Sequence, residues 1–249
     1  PTPAGKAGAP PAAGTMDTRA DVALLIDAAS GAVLFEKHAD KPFVPASLTK
    51  MMTVAVAARE LREGRLTLDG EFPMSEHAWR TGGAPSRTSA MFAPVNSKVR
   101  VEDLFHGIMI QSANDGAIAM AEGIAGTEAA FAELMNKFAA DLGMKATRFG
   151  NPTGLPNADN VTTARDLVIL ARHLVEADPE IYKIYGKREF TYNKIRQLNR
   201  NPLLDAGVGA DGLKTGYLKE AGYNLVGSAV QGAQRLYVAE SLESGLFGD

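Results

Sequence analysis

The sequence predicts an α+β domain in which one sheet takes strands from both ends of the chain and helices pack against it. Apolar strand patterns lie near the start, a long helical part follows, and strand patterns return after residue 188. A single sheet with helices against it and a helical insertion satisfies that order best. With 249 residues, 45% of them hydrophobic, the chain can bury a core without disulfides or structural metals.

Composition excludes several classes of function. The net charge is -3 and no Lys/Arg-rich block is present, so we expect no nucleic-acid partner. The absence of cysteine removes thiol catalysis and thiolate metal sites. The four histidines lack ligand-like spacing, so we predict no metal and no cofactor. The longest apolar run, residues 51–58, is too short to cross a bilayer, and no membrane anchor is visible in the sequence.

The chain divides into a short leader and one folded domain. Residues 1–16 are dominated by Pro, Ala and Gly, which is typical of a flexible leader. Residues 17–249 form the predicted domain, with a helical subdomain at about residues 65–160. Two apolar runs, residues 22–26 and 33–35, flank a turn and predict a β-hairpin.

The remaining elements follow from periodicity and turn residues. Residues 47–61 predict a long helix that is apolar nearly all round and therefore buried. Residues 71–97 are rich in Gly, Pro, Ser and Thr and are expected to be irregular. Further helices are predicted at residues 101–110, 115–124, 127–142 and 162–176, a loop at 151–160, and strands at 189–193, 209–215, 223–230 and 235–238.

The first motif with chemical content opens the long helix. Ser47 and Lys50 are three residues apart, so their side chains share one helix face. A serine hydroxyl becomes a good nucleophile only when a base accepts its proton. Lysine can be that base if burial or a nearby positive charge lowers its pKa. Taken alone, the motif is weak, and a helix cap followed by a surface lysine is the simpler interpretation.

The second motif lies between two predicted helices. Ser112 can relay a proton, and Asn114 can both donate and accept hydrogen bonds with an amide substrate. A simpler alternative is that one of these two side chains caps the following helix.

The third motif ends a predicted strand. Lys214 offers a positive charge and Thr215 a hydroxyl donor, a suitable pair for a substrate carboxylate. Gly216 permits a substrate backbone to approach the strand edge. A second lysine near Lys50 would also lower the pKa of that base. The alternative is a strand end with a turn glycine.

Together the three motifs identify a family. S-x-x-K, S-x-N and K-T-G in this order resemble the set known from penicillin-binding proteins and class A β-lactamases, in which S-D-N is the middle element. The chain most resembles the low-molecular-mass penicillin-binding proteins that are serine D-alanyl-D-alanine carboxypeptidases. The likeness covers about residues 21–236 and is strongest in residues 45–53, 151–156, 199–204 and 216–225.

The resemblance implies a β-lactamase/transpeptidase-like fold, an antiparallel sheet flanked by helices with a helical subdomain. The implied substrate is a peptidoglycan stem peptide ending in D-Ala-D-Ala, and β-lactam antibiotics would inhibit by acylating the nucleophile. The implied location is extracytoplasmic, in the bacterial periplasm or at the outer face of the cytoplasmic membrane.

The resemblance also implies catalytic roles. Ser47 would attack the penultimate D-Ala carbonyl while Lys50 accepts its proton. The terminal D-Ala would leave after protonation through Ser112, and water would release the acyl-enzyme. The backbone N–H groups of Ser47 and Tyr217 would form the oxyanion hole.

Substrate binding would involve a second set of residues. Asn114 would hold the substrate amide, and Lys214, Thr215 and Arg200 would hold the terminal carboxylate. Gly216 would admit the peptide backbone to the strand edge.

Two features depart from the family pattern. The family usually continues past the last strand into a helix, a small β-domain and an amphipathic C-terminal anchor, but residues 243–249 do not align with it. Tyr217 stands where histidine is common; since only its backbone is needed, we expect activity to survive with altered preference.

Other functions are weighed against this one. A class A β-lactamase needs a carboxylate base in the loop after the second motif, yet residues 149–160 contain no Glu and only Asp159. A catalytically silent peptidoglycan-binding module would require a misassembled site. A Ser-His-Asp hydrolase is disfavoured because no G-x-S-x-G elbow is present. Trp79 and the stretch at 82–85 are interpreted as a surface loop in preference to a mobile lip.

Overall fold

Residues 16–243 are described in a computed structural model of the chain. The predicted leader, apart from Met16, and residues 244–249 lie outside the described residues. The strands are β1 (Val22–Asp27), β2 (Val33–Lys37), β3 (Glu71–Pro73), β4 (Lys98–Arg100), β5 (Glu189–Tyr192), β6 (Ile195–Leu198), β7 (Ala210–Leu218), β8 (Gly222–Gln231) and β9 (Gln234–Leu242).

The main sheet joins the two ends of the described chain. Its order is β2-β1-β9-β8-β7, and every neighbouring pair is antiparallel. The N-terminal hairpin is extended by β9, so strands distant in sequence meet at the centre of the sheet. The predicted sheet and the hairpin that starts it are confirmed.

Helices cover this sheet and fill the middle of the chain. They are α1 (Thr49–Arg62), α2 (Glu76–Gly82), α3 (Val101–His106), α4 (Asn114–Ala125), α5 (Glu128–Leu142), α6 (Ala164–Ala177) and α7 (Pro179–Tyr182). Thr127 and Thr163 cap α5 and α6 by accepting the backbone N–H of Ala130 and Asp166. The limits of the helical subdomain, about residues 65–160, stay a prediction.

Helix α1 lies at the centre of the helical layer. All residues from Thr49 to Ala58 are buried. The helix contacts α4, α5 and α6, and α6 in turn lies on β9, β1 and β8. The predicted buried helix is thus confirmed, and a lysine in its first turn is carried into the interior.

One local prediction is wrong, and one predicted strand is confirmed but lies outside the main sheet. Residues 71–97 are not wholly irregular, because they contain β3 and α2. The strand predicted at residues 189–193 is β5; among the described strands it pairs with β6 and not with the main sheet. Asn193 and Lys194 both have positive φ, 46° and 64°, the backbone shape of a tight two-residue hairpin turn. Because Lys194 stands where this type of turn usually has a glycine, the pattern did not indicate the turn.

No helix within residues 16–243 is long and apolar enough to cross a membrane.

Candidate active site

Ser47 lies in a 3-10 turn, Ala46–Leu48, that leads into α1. The α-helix therefore begins at Thr49 and not at Ser47, since the first turn tightens, as helix ends commonly do. The preceding segment is fixed from two sides. Phe43 exchanges backbone hydrogen bonds of 2.9 and 3.0 Å with Thr162, and Asn224 Nδ2 donates to the Val44 carbonyl at 2.9 Å.

Lys50 lies beside the Ser47 hydroxyl, as the spacing predicts. Its Nζ is 3.0 Å from Ser47 Oγ and donates to the Thr153 carbonyl oxygen at 2.7 Å. The side chain is 0% exposed. Burial, aided by the positive charges of Lys214 and Arg200, holds the pKa of Lys50 well below its usual value. A proton-accepting amine next to a serine hydroxyl is the arrangement that activates such a nucleophile.

A loop after α5 completes the surroundings of Lys50. Asn151 Oδ1 accepts the Gly154 N–H at 2.8 Å and thereby shapes the turn that presents the Thr153 carbonyl. Gly154 has φ +81°, and a Cβ there would lie 1.8 Å from the Ala46 carbonyl oxygen. Only glycine fits this approach. None of the three motifs points to Thr153 or Gly154; the available signal in the sequence is the family-like segment at residues 151–156.

Ser112 and Asn114 are brought to the same site. A π-turn, Gly107–Gln111, ends at Ser112, whose φ of 63° is left-handed. Ser112 and Asn114 are 3% and 4% exposed. Within the described chain, Ser112 Oγ and Asn114 Oδ1 have no hydrogen-bond partner. The capping alternative is wrong, because α4 is preceded by Ala113 and has no side-chain cap.

Strand β7 forms the opposite wall. A Cβ on Gly216 would lie 3.1 Å from both Pro45 O and Ser47 N, so the strand passes close to the nucleophile. Lys214 is buried and donates to the Thr215 carbonyl at 2.9 Å. Burial, and then the charge of Arg200, lower the pKa of Lys214 to about 7. Tyr217 is 53% exposed and packs against Tyr223, with ring centroids 4.5 Å apart and ring planes tilted by 34°.

These walls enclose a cleft of about 930 Å³. The predicted site residues that line it are Ser47, Ser112, Asn114, Arg200, Thr215, Gly216 and Tyr217. Lys50 and Lys214 lie buried behind its surface. The remaining lining includes Thr18–Ala20, Arg87–Ser89, Leu155 and Glu240. The structure thus brings all nine predicted residues to one place.

The structure bears on the loop at residues 149–160 and on the stretch at 82–85. Asp159, the carboxylate of the loop at 149–160, is exposed and pairs with Arg148 at 3.4 Å. The stretch at 82–85 is more than a surface loop, since Gly82 is buried and a Cβ there would lie 2.5 Å from the Asn114 carbonyl carbon. In residues 16–243, no three His, Cys, Asp or Glu side chains converge as a metal site requires.

Comparison with known proteins finds similar carboxypeptidases and penicillin-binding proteins. D-alanyl-D-alanine carboxypeptidase DacC of Escherichia coli K12 is 44% identical over 224 residues, 89% of this chain and 56% of that protein. The crystal structure of penicillin binding protein 5 from Haemophilus influenzae matches with a TM-score of 0.88 and 39% identity, over 92% of this chain and 67% of that one. Ampicillin-bound Penicillin-Binding Protein D2 of Listeria monocytogenes matches with a TM-score of 0.79 and 28% identity, over 92% of each chain.

The sequence profile of the D-alanyl-D-alanine carboxypeptidase family, Peptidase_S11, matches residues 7–239. This chain belongs to that family. It spans little more than half the length of the relative from Escherichia coli. The fold is that of penicillin-binding proteins and transpeptidases, as the resemblance implied.

Proposed function

We propose that the chain is a serine-type D-alanyl-D-alanine carboxypeptidase that removes the terminal D-Ala from peptidoglycan stem peptides through a Ser47 acyl-enzyme. The observation that carries the proposal is the buried amine of Lys50, 3.0 Å from Ser47 Oγ at the floor of a peptide-sized cleft. A neutral amine at that distance is within reach of the proton that Ser47 must lose.

Acylation follows from the positions of the groups. Lys50 takes the hydroxyl proton as Ser47 Oγ attacks the carbonyl of the penultimate D-Ala. The C–N bond then breaks, and the amine of the terminal D-Ala receives a proton through Ser112. Backbone N–H groups of Ser47 and Tyr217 stabilise the oxyanion, a contribution of about 3 kcal/mol per donor in comparable sites. Water then releases the acyl group.

The far wall of the cleft recognises the substrate. The terminal carboxylate binds Thr215 and Arg200, with the positive charge of Lys214 behind them. Asn114 binds the amide on the N-terminal side of the scissile bond. Gly216, which has no side chain, admits the peptide along the edge of β7.

β-Lactams acylate Ser47 in the same way, and the acyl-enzyme persists. Asp159 supports this, because an exposed carboxylate paired with Arg148 is a poor candidate for the deacylating base of a β-lactamase. We place the protein outside the cytoplasm, where its peptidoglycan substrate lies.

The test is release of D-Ala from an N-acylated L-Lys-D-Ala-D-Ala tripeptide. The matched control is the same peptide ending in D-Ala-L-Ala. Release of D-Ala from the first peptide and little from the second supports the proposal. Folded protein that binds the first peptide without releasing D-Ala would favour the silent binding module.

A further inference from the structure

A chain of hydrogen bonds runs from Asn114 into the loop that follows α2. Asn114 Nδ2 donates to Thr88 Oγ1 at 2.9 Å. Thr88 Oγ1 lies 2.8 Å from Ser86 Oγ, and Ser86 Oγ donates to the Gly83 carbonyl oxygen at 2.7 Å. We call these contacts the Thr88 relay.

The direction of each bond in the relay is fixed by counting hydrogens. A hydroxyl has one hydrogen, and that of Ser86 is used on the Gly83 carbonyl. Thr88 must therefore donate to Ser86, and its own oxygen is left to accept from Asn114. If the carboxamide were turned over, its oxygen would face Thr88, which has no second hydrogen to give. The relay thus selects one orientation of the Asn114 amide.

The same loop also holds the backbone of Asn114. Its N–H donates to the Ser89 carbonyl at 2.7 Å. Gly82 packs so closely that a Cβ would lie 2.5 Å from the Asn114 carbonyl carbon. Main chain and side chain of Asn114 are therefore both held by residues 82–89.

One amide N–H of Asn114 remains for a ligand. Nδ2 carries two hydrogens, and the relay uses one of them. Oδ1 is buried and accepts no hydrogen bond from the described residues. Groups that are oriented before the substrate arrives recognise it without an ordering cost.

We propose that Thr88 is a positioning residue that fixes the Asn114 carboxamide for recognition of the acylamino group beside the scissile carbonyl. This inference rests on the proposed function, in which Asn114 binds that amide. Thr88 itself acts through Asn114, and nothing in the motif pattern points to it.

The test compares two penicillins that differ in this group. Benzylpenicillin has a 6-acylamino group and 6-aminopenicillanic acid does not. Thr88→Val keeps the shape of the side chain but removes the acceptor, and one lost hydrogen bond corresponds to about a fivefold change. We expect acylation by benzylpenicillin to slow about fivefold and acylation by 6-aminopenicillanic acid to change less than about twofold.

Two further variants separate positioning from general damage. Thr88→Ser keeps the hydroxyl and should restore the rate with benzylpenicillin. Thr81→Val makes the same exchange at an exposed threonine on α2, outside the relay, and should leave both rates unchanged. Thermal unfolding of each variant shows whether the protein is folded.

The outcomes distinguish the inference from the function beneath it. Suppose that both penicillins acylate the wild-type protein. If Thr88→Val then slows acylation equally for both penicillins, or for neither, the inference is overturned and the proposed function stands. A folded wild-type protein acylated by neither penicillin overturns the proposed function, and the inference with it.

Discussion

The two buried lysines of the cleft are the same side chain in different surroundings. Lys50, in the first turn of α1, lies between the Ser47 hydroxyl and the Thr153 carbonyl. Lys214, on strand β7, is within hydrogen-bond distance only of the neighbouring Thr215 carbonyl among the described residues. Burial is the main cause of the lowered pKa in both.

The difference teaches which role each amine can perform. Burial holds the pKa of Lys50 well below its usual value, which favours the neutral form that can accept a proton from the nucleophile. The pKa of Lys214 is about 7, so a carboxylate arriving beside it would restore its charge. We therefore assign proton transfer to the helix lysine and carboxylate binding to the strand lysine.

The largest effect is expected from Lys50→Arg, which tests the helix lysine. Guanidinium stays protonated at any ordinary pH and cannot accept a proton. We expect the rate of acylation by benzylpenicillin to fall about a thousandfold, the usual contribution of a general base. In the wild type, the rate should rise with pH through the lowered pKa of Lys50. Stopped-flow measurement across pH checks both; a variant within about tenfold of wild type would contradict proton transfer by Lys50.

Gly154→Ala should disturb the Thr153 carbonyl that holds Lys50. The new Cβ would lie 1.8 Å from the Ala46 carbonyl, so the backbone beside Ser47 must shift. We expect a loss of about 3 kcal/mol in the free energy of unfolding and slower acylation.

Gly143→Ala is the matched control. Gly143 has nearly the same φ, +82°, yet has no atom within 4 Å of the added Cβ. It should cost only about 1 kcal/mol and leave acylation unchanged. Equal costs for the two variants, measured by denaturant unfolding, would show that the contact with Ala46 is unimportant.

A moderate effect is expected from the pH dependence of the strand lysine. Lys214 is charged below pH 7 and becomes neutral above it, so carboxylate binding should weaken as pH rises. In the Ser47→Ala protein, which isolates binding, we expect Kd for the D-Ala-D-Ala peptide to rise about tenfold from pH 6 to 9.

A peptide with an amidated C-terminus and a second substitution provide the controls for the titration of Lys214. A peptide with a C-terminal amide lacks the carboxylate, and its Kd should not follow this titration. Adding Lys214→Met should also remove the pH dependence. Calorimetry measures each Kd, and an unchanged slope in the Lys214→Met protein would assign the titration to another group.

The smallest effect is expected from Tyr217→Ala. The ring is exposed and packs against Tyr223, while the backbone N–H remains in the variant. Acylation by benzylpenicillin should stay within about threefold of wild type, since an exposed aromatic contact contributes about 0.5 kcal/mol. A loss of a hundredfold would place the tyrosine side chain in the chemistry.

The sequence was sufficient where the chemistry depends on local spacing. A spacing of three positions on a helix predicted that Lys50 lies beside Ser47. The apolar helix around Lys50 predicted its burial. The order of strand patterns predicted the main sheet, although it gave no sign that β5 pairs with β6 alone.

The rest depends on contacts between distant parts of the chain. Thr153 meets Lys50 across 103 positions, and Thr88 meets Asn114 across 26. Every residue type has a backbone carbonyl, so no sequence motif could identify the carbonyl that contacts Lys50. Gly154 lies in a predicted loop, and its close approach to Ala46 depends on the folded chain.

The central claim, a Ser47 nucleophile activated by Lys50, is tested most directly by intact-protein mass spectra recorded over time after benzylpenicillin is added, with free drug followed in parallel. We predict a long-lived adduct of one drug molecule on the wild type, most of the drug left intact, and no adduct on Ser47→Ala. A transient adduct with catalytic loss of the drug would instead favour a β-lactamase. An adduct on Ser47→Ala, or none on folded wild type, would contradict the account.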